Sequence, residues 1–123
     1  MSRVERDEVR EHRITVEIVV DAHDADEQVM GWYYYLYDVL SFPFLTRCAA
    51  KRAISPLRVG DEVEVIGMAP QEECEHEMFV MMRWEREGLA VPLSQLEVVH
   101  ASDKTREAVE DWHYWANRGY RFG

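Results

Sequence analysis

Cysteine is scarce: Cys48 and Cys74 are the only two, too few for a disulfide framework. Stability must come from a core, and 123 residues suffice for one modest domain spanning 1–123. The chain has no CxxC or HExxH pair, which removes the common zinc signatures. It also lacks a glycine-rich phosphate loop and a local nucleophile motif, so neither nucleotide binding nor acyl transfer is indicated. No apolar run approaches the 18 residues of a membrane span, and the charged opening MSRVERDE is not a secretory signal. A cytoplasmic setting with reduced thiols is the expectation.

Basic residues are missing from two long stretches. Ile14 to Thr46 holds six acids (Glu17, Asp21, Asp24, Asp26, Glu27 and Asp38) and no Lys or Arg, and Val59 to Met82 holds seven (Asp61, Glu62, Glu64, Glu72, Glu73, Glu75 and Glu77), again with none. The net charge of −10 is therefore uneven, and the remainder of the chain carries 11 acids against all 14 bases. Two acidic blocks that meet in space attract cations and repel phosphate backbones, which argues against nucleic acid as a partner.

The chain opens with an arm, 1–13, of mixed charge. Ile14, Val16, Ile18 and Val20 then recur at every second position, the period of a half-buried strand. Asp21 to Asp26 supplies helix caps, so a helix is expected from about Asp24. Val29, Trp32, Tyr33, Leu36, Tyr37 and Leu40 fall at spacings of three and four and make its apolar stripe. Pro43 stops it, placing Asp38 in the last turn, where the macrodipole disfavours a carboxylate by roughly 0.3–1 kcal/mol unless a cation binds.

Strands follow at Leu45–Lys51, around Val63 and Val65, and at Phe79–Trp84, with turns at Ser55–Gly60 and Glu85–Gly88. Leu89, Val91 and Leu93 read as a strand confined by Pro92 to a sheet edge. Ser94 to Leu96 reads as one helical turn before Glu97–Val99 closes the sheet. Ser102 or Asp103 caps a last helix with Val109, Trp112 and Ala116 inward and Gly119 as its stop. The expected fold class is α+β: a small SH3-like antiparallel β-barrel flanked by an N-terminal-half helix and a C-terminal helix.

The acidic loop Gln71–Glu77 is the leading chemical candidate. Asp38, the carbonyl or hydroxyl of Ser41, and Glu72, Glu73 and Glu75 could supply the six to eight oxygens that calcium takes. The plainer alternative is that they are solvated surface acids. No EF-hand can start at Asp21 or Asp24, because the required ligand offsets, sixth-position glycine and terminal glutamate are absent. Zinc would have Cys74 and His76, with Cys48, His12, His23, His100 and His113 elsewhere, in no standard spacing. The aromatics Trp32 to Tyr35, Trp112 and Trp115 fit a core better than a ligand cage, and Met78, Met81 and Met82 fit packing better than a copper site.

The segments WYYYLYDVLSFPF (Trp32 to Phe44), SPLRVGDEVEVIGMAPQEECEHEMFV (Ser55 to Val80), VPLSQLEVV (Val91 to Val99) and DWHYW (Asp111 to Trp115) closely resemble the small calcium-binding protein family of the cyanobacterial CcbP type. The resemblance implies an acidic, non-EF-hand calcium-binding protein, a buffer or sensor rather than an enzyme. It matches Asp38 and the glutamates of the GMAPQEECE block to the ion site. Gln71 stands where another acid would be expected in some members. The expected ligand is Ca2+, with no nucleic-acid or membrane partner and a protein partner left open. The alternative function is a non-catalytic SH3-like interaction module that binds a basic protein partner, with the acids steering it.

Overall fold

A computed structural model describes residues 5–20, 24–84 and 87–118. Asp7 accepts a hydrogen bond from the Arg10 amide and caps helix α1, Glu8–Arg13. That bond holds the Asp7 carboxyl below its usual range. The chain runs on without a break into a π-helical turn, Ile14–Ile18, so the strand expected over Ile14–Val20 is helical instead. Its apolar residues satisfy both periods. Ile14 and Ile18, four apart, are buried, while Val16 and Val20 are exposed; a strand would put all four on one face, and only a helical period separates the two pairs.

Helix α2 spans Ala25–Val39 and is capped by Asp24, which accepts from the Glu27 amide. Val29, Trp32, Tyr33, Leu36 and, just past the helix, Leu40 are buried as expected, whereas Tyr37 is 64% exposed. Gly31 sets how closely the Ile14–Ile18 turn lies against α2: a Cβ there would sit 2.4 Å from the Ile18 carbonyl oxygen.

Five strands follow: β1 Phe44–Cys48, β2 Glu62–Met68, β3 Phe79–Trp84, β4 Glu87–Pro92 and β5 Leu96–His100. Gly60, at φ 97°, makes the turn before β2. All pairings are antiparallel, in the order β4-β3-β2-β1-β5. The expected closed barrel is thus corrected to an open sheet. Among the described residues β4 and β5 do not pair, and the short 3₁₀ turn Leu93–Gln95 carries the chain from one edge to the other. Val63 and Val65 are buried between exposed Glu62, Glu64 and Ile66, the alternation of a sheet with one face covered. Pro92 ends the edge strand β4, where its missing N–H costs least.

Helix α3, Asp103–Asn117, is capped by Ser102, whose Oγ accepts from the Thr105 amide. The proposed stop at Gly119 lies outside the described residues, as do Asp21, His23, and Glu85 and Arg86 of the expected turn. Trp32 of α2 meets Trp112 and Trp115 of α3 with ring centroids 5.0 and 5.6 Å away. Trp32, Tyr33, Trp112 and Trp115 are core, as the sequence indicated; Tyr35 is half-buried, and Tyr34 is exposed, contrary to that expectation. Helix α1 buries no residue of its own and is held to α3 by polar contacts alone among those described. Arg10 and Arg13 both donate to Asp111, a fully buried carboxylate, at 2.7–2.9 Å. The Tyr114 hydroxyl donates to Glu11 and accepts from the Asp7 amide.

His113 lies between α3 and the sheet, its Nε2 3.2 Å from the Leu93 carbonyl. Burial pushes its pKa below the ordinary value of 6.5, against weaker opposing effects of the Leu93 and Leu96 backbone. A depressed folded-state pKa means that the unfolded chain binds the proton more readily. The stability linked to neutral His113 is complete above pH 6.5 and is lost as pH falls through the lower folded value. Between pH 7.5 and pH 5, His113→Gln should lose less Tm than the wild type. Equal losses would remove His113 from the acid response.

Candidate calcium centre

The acidic loop is anchored before any ion is considered. Its 3₁₀ turn, Gln71–Cys74, buries Cys74, whose Sγ takes the Phe79 amide at 3.4 Å. Burial raises the Cys74 thiol pKa and so favours the protonated form, which is the wrong one for zinc. His76 is exposed. Among the described residues no three His, Cys, Asp or Glu side chains stand together as a preformed metal cage. Upstream of the turn, the Tyr33 hydroxyl donates to the Ala69 carbonyl at 2.8 Å. Burial raises the Tyr33 pKa, helped by nearby ionisable groups that include the Cys74 thiol and the Glu72 carboxylate.

Downstream, Glu77 is already neutralised. Arg52 pairs with it through both guanidinium nitrogens, Nη2 to Oε2 at 2.9 Å, and this hydrogen bonding raises the Arg52 pKa. Nothing in the sequence points to that partner, because Arg52 lies outside both acidic blocks. The charge that needs a counter-ion is therefore concentrated on Glu72, Glu73 and Glu75.

Glu72 and Glu75 line one cleft of about 560 Å3 together with Gln71, His76 and the start of α2, namely Ala25, Asp26, Val29 and Met30. Glu73 is exposed and does not line it. Asp26 is the carboxylate that sequence reasoning missed. Its position in the first turn of α2 reads as ordinary helix-terminus charge, and nothing in the sequence indicates which end of the helix meets the loop. Asp38 is exposed in the last turn of α2 and lines a different cleft with Glu17, Tyr34 and Tyr37. Ser41 lies in a third, beside Phe42, His100 and Ser102, and its amide donates to Thr105 Oγ1 at 2.9 Å. The five candidate ligands are thus distributed over separate surfaces, with Glu72 and Glu75 sharing one.

The first cleft suits a hard cation. Among the described residues three carboxylates and an amide oxygen line it without forming a closed cage, no Lys or Arg does, and its softer donors are His76 and the Met30 thioether. Oxygen donors with room for water are what calcium requires.

A family model described as calcium binding, of the CcbP type, matches residues 12–116. The chain belongs to the CcbP calcium-binding family. Two solved structures are similar over nearly the whole length. One is Anabaena CcbP, at 46% identity and a TM-score of 0.86, covering 99% of this chain and 100% of that one. The other is described as a calcium-binding protein in the calcium-binding form, at 45% identity and a TM-score of 0.84, with the same coverage. Among curated protein sequences none matches the chain. A calcium-binding family is not an enzyme class, and calcium is the ligand associated with the CcbP fold. No helix of the described residues is long and apolar enough to cross a membrane.

Proposed function

We propose that this CcbP-family chain is a non-EF-hand calcium buffer that holds the ion on the loop Gln71–Glu77, with Glu72 and Glu75 as carboxylate ligands. The observation that carries the reading is the cleft in which these two face Asp26 and Gln71 with no basic side chain among them. Two or three carboxylates, one of them bidentate, plus water reach the coordination number calcium needs. Glu73, Asp38 and Ser41 are further oxygen donors, and titration of variants assigns their share.

The buffering role follows from the anchoring. Tyr33, Cys74 and the Arg52–Glu77 pair fix the loop on both sides of the glutamates. An ion docking there neutralises charge without shifting a second, alternative packing, and a sensor requires such an alternative.

The test is calorimetric titration of chelator-stripped protein with calcium, repeated in excess magnesium and paired with thermal melts. A folded-state ligand at a hundredfold excess over its Kd stabilises by about 2.7 kcal/mol. Glu72→Gln/Glu75→Gln should abolish most of that gain, and Asp38→Asn should remove less. A larger loss in Asp38→Asn would move the ion to the far end of α2. Unchanged melting in calcium would defeat the calcium reading for this chain.

A further inference from the structure

The outward face of α2 carries a second surface, separate from the cleft of Glu72 and Glu75 although it shares Met30 with that cleft and includes Asp38. Tyr34 and Tyr37, 54% and 64% exposed, project from successive turns, and Val20 and Met30 flank them. With Ile18, Gly31 and Tyr35 they line an open cleft of about 620 Å3 whose only charged side chains among the described residues are Glu17 and Asp38. The close approach of the Ile18 carbonyl to Gly31 lets two elements contribute to one groove. Exposed aromatic and aliphatic side chains gathered in one place, with acids at the rim, mark an interaction site more than scattered surface residues do.

We propose that this groove docks a segment of a partner protein that carries both Arg or Lys and apolar side chains. Charge complementarity selects that occupant. No Lys or Arg lies between Ile14 and Thr46, so a guanidinium or ammonium entering the groove meets two carboxylates and two exposed tyrosine rings, and stacks on the latter by cation–π attraction. Val20 and Met30 provide the contact that apolar side chains need. A second copy of this chain brings a net charge of −10 and is repelled, as is an anionic membrane. The groove is open along its length, which suits a peptide better than an enclosed small cation.

The experiment is fluorescence anisotropy with a labelled synthetic peptide of Leu-Arg repeats, in chelator and at physiological salt, so that its outcome is independent of the calcium titration. Tyr34→Ser/Tyr37→Ser is the deciding variant. It leaves net charge unchanged and alters only exposed side chains, and circular dichroism verifies its fold. Saturable binding weakened about tenfold by that variant, with no binding of the Leu-Glu peptide, is the expected result. Undiminished binding by the variant would reduce the attraction to the diffuse field of the protein and overturn the proposal, as would an absence of saturable binding. Two further outcomes would also overturn it. Variant-sensitive binding of spermine as tight as that of the peptide would mark a small-cation site, and self-association abolished by the variant would mark a contact between copies.

Discussion

Asp111→Ala should destabilise the protein by about 3–5 kcal/mol, the usual cost of breaking a buried ion pair from one side. That corresponds to a fall in Tm of roughly 10 °C or more for a domain of this size. The carboxylate is fully buried and receives three hydrogen bonds from Arg10 and Arg13. Those bonds with Asp111 come first among the causes that raise the Arg13 pKa. Without Asp111 the ion pairs left to the two guanidiniums among the described residues are the longer ones of Arg10 with Asp7 and Arg13 with Glu107, both 3.6 Å, and α1, which buries none of its own residues, is held chiefly by the Tyr114 hydroxyl. Urea unfolding gives the energy, and limited trypsin digestion at Arg10 and Arg13 reports the undocking. Arg10→Ala/Arg13→Ala in the same background should add far less than it costs alone, because the interaction is already gone. A loss under about 1 kcal/mol in Asp111→Ala would mean that the arm contributes little to the fold.

Trp32→Ala should cost a similar amount, about 3–5 kcal/mol, for a different reason. Its ring is completely buried where α2 crosses α3, against Trp112, Trp115 and Tyr35. Its indole N–H has no hydrogen-bond partner among the described residues. The loss is therefore packing and ring geometry, with no polar group left orphaned. Trp32→Phe should retain most of the stability, while Trp32→Ala also removes the near-ultraviolet circular dichroism of the cluster. If the Phe variant proves as damaging as the Ala variant, the indole N–H has a role that packing does not explain.

The parts of this fold that were legible in the sequence are those governed by local chemistry. Asp24 and Ser102 announce α2 and α3 because a side-chain oxygen caps amides only three residues away. Val63 and Val65 announce β2 because alternation is a property of the strand itself. Ile14–Val20 misled because its β-branched residues at every second position also contain a pair four apart, and only the exposure of Val16 and Val20 beside buried Ile14 and Ile18 separates the two readings. Sheet closure was not legible either. Five short strands and a turn fit a closed barrel and an open sheet equally well, and whether β4 pairs with β5 is decided by long-range packing.

The same division runs through the candidate site. Glu72 and Glu75 stood out because negative charge without a nearby base is visible in sequence. The segment beside them was not visible, so Asp26, in the first turn of α2, was not among the expected ligands while Asp38, in the last, was; the two line different clefts. Glu77 and Asp111 show the limit most directly. Each looks like one more surface acid until Arg52, 25 positions away, and Arg13, 98 positions away, are brought beside them.

The open sheet has one more consequence, for solubility. Two unpaired edges are templates on which other chains can add strands and build aggregates. The chain blunts both. Pro92 removes a donor at the end of β4, and along β5 the Arg106 guanidinium takes up the Val98 carbonyl while Glu97 and His100 are exposed. Such protected edges keep the folded chain from recruiting further strands even at high concentration.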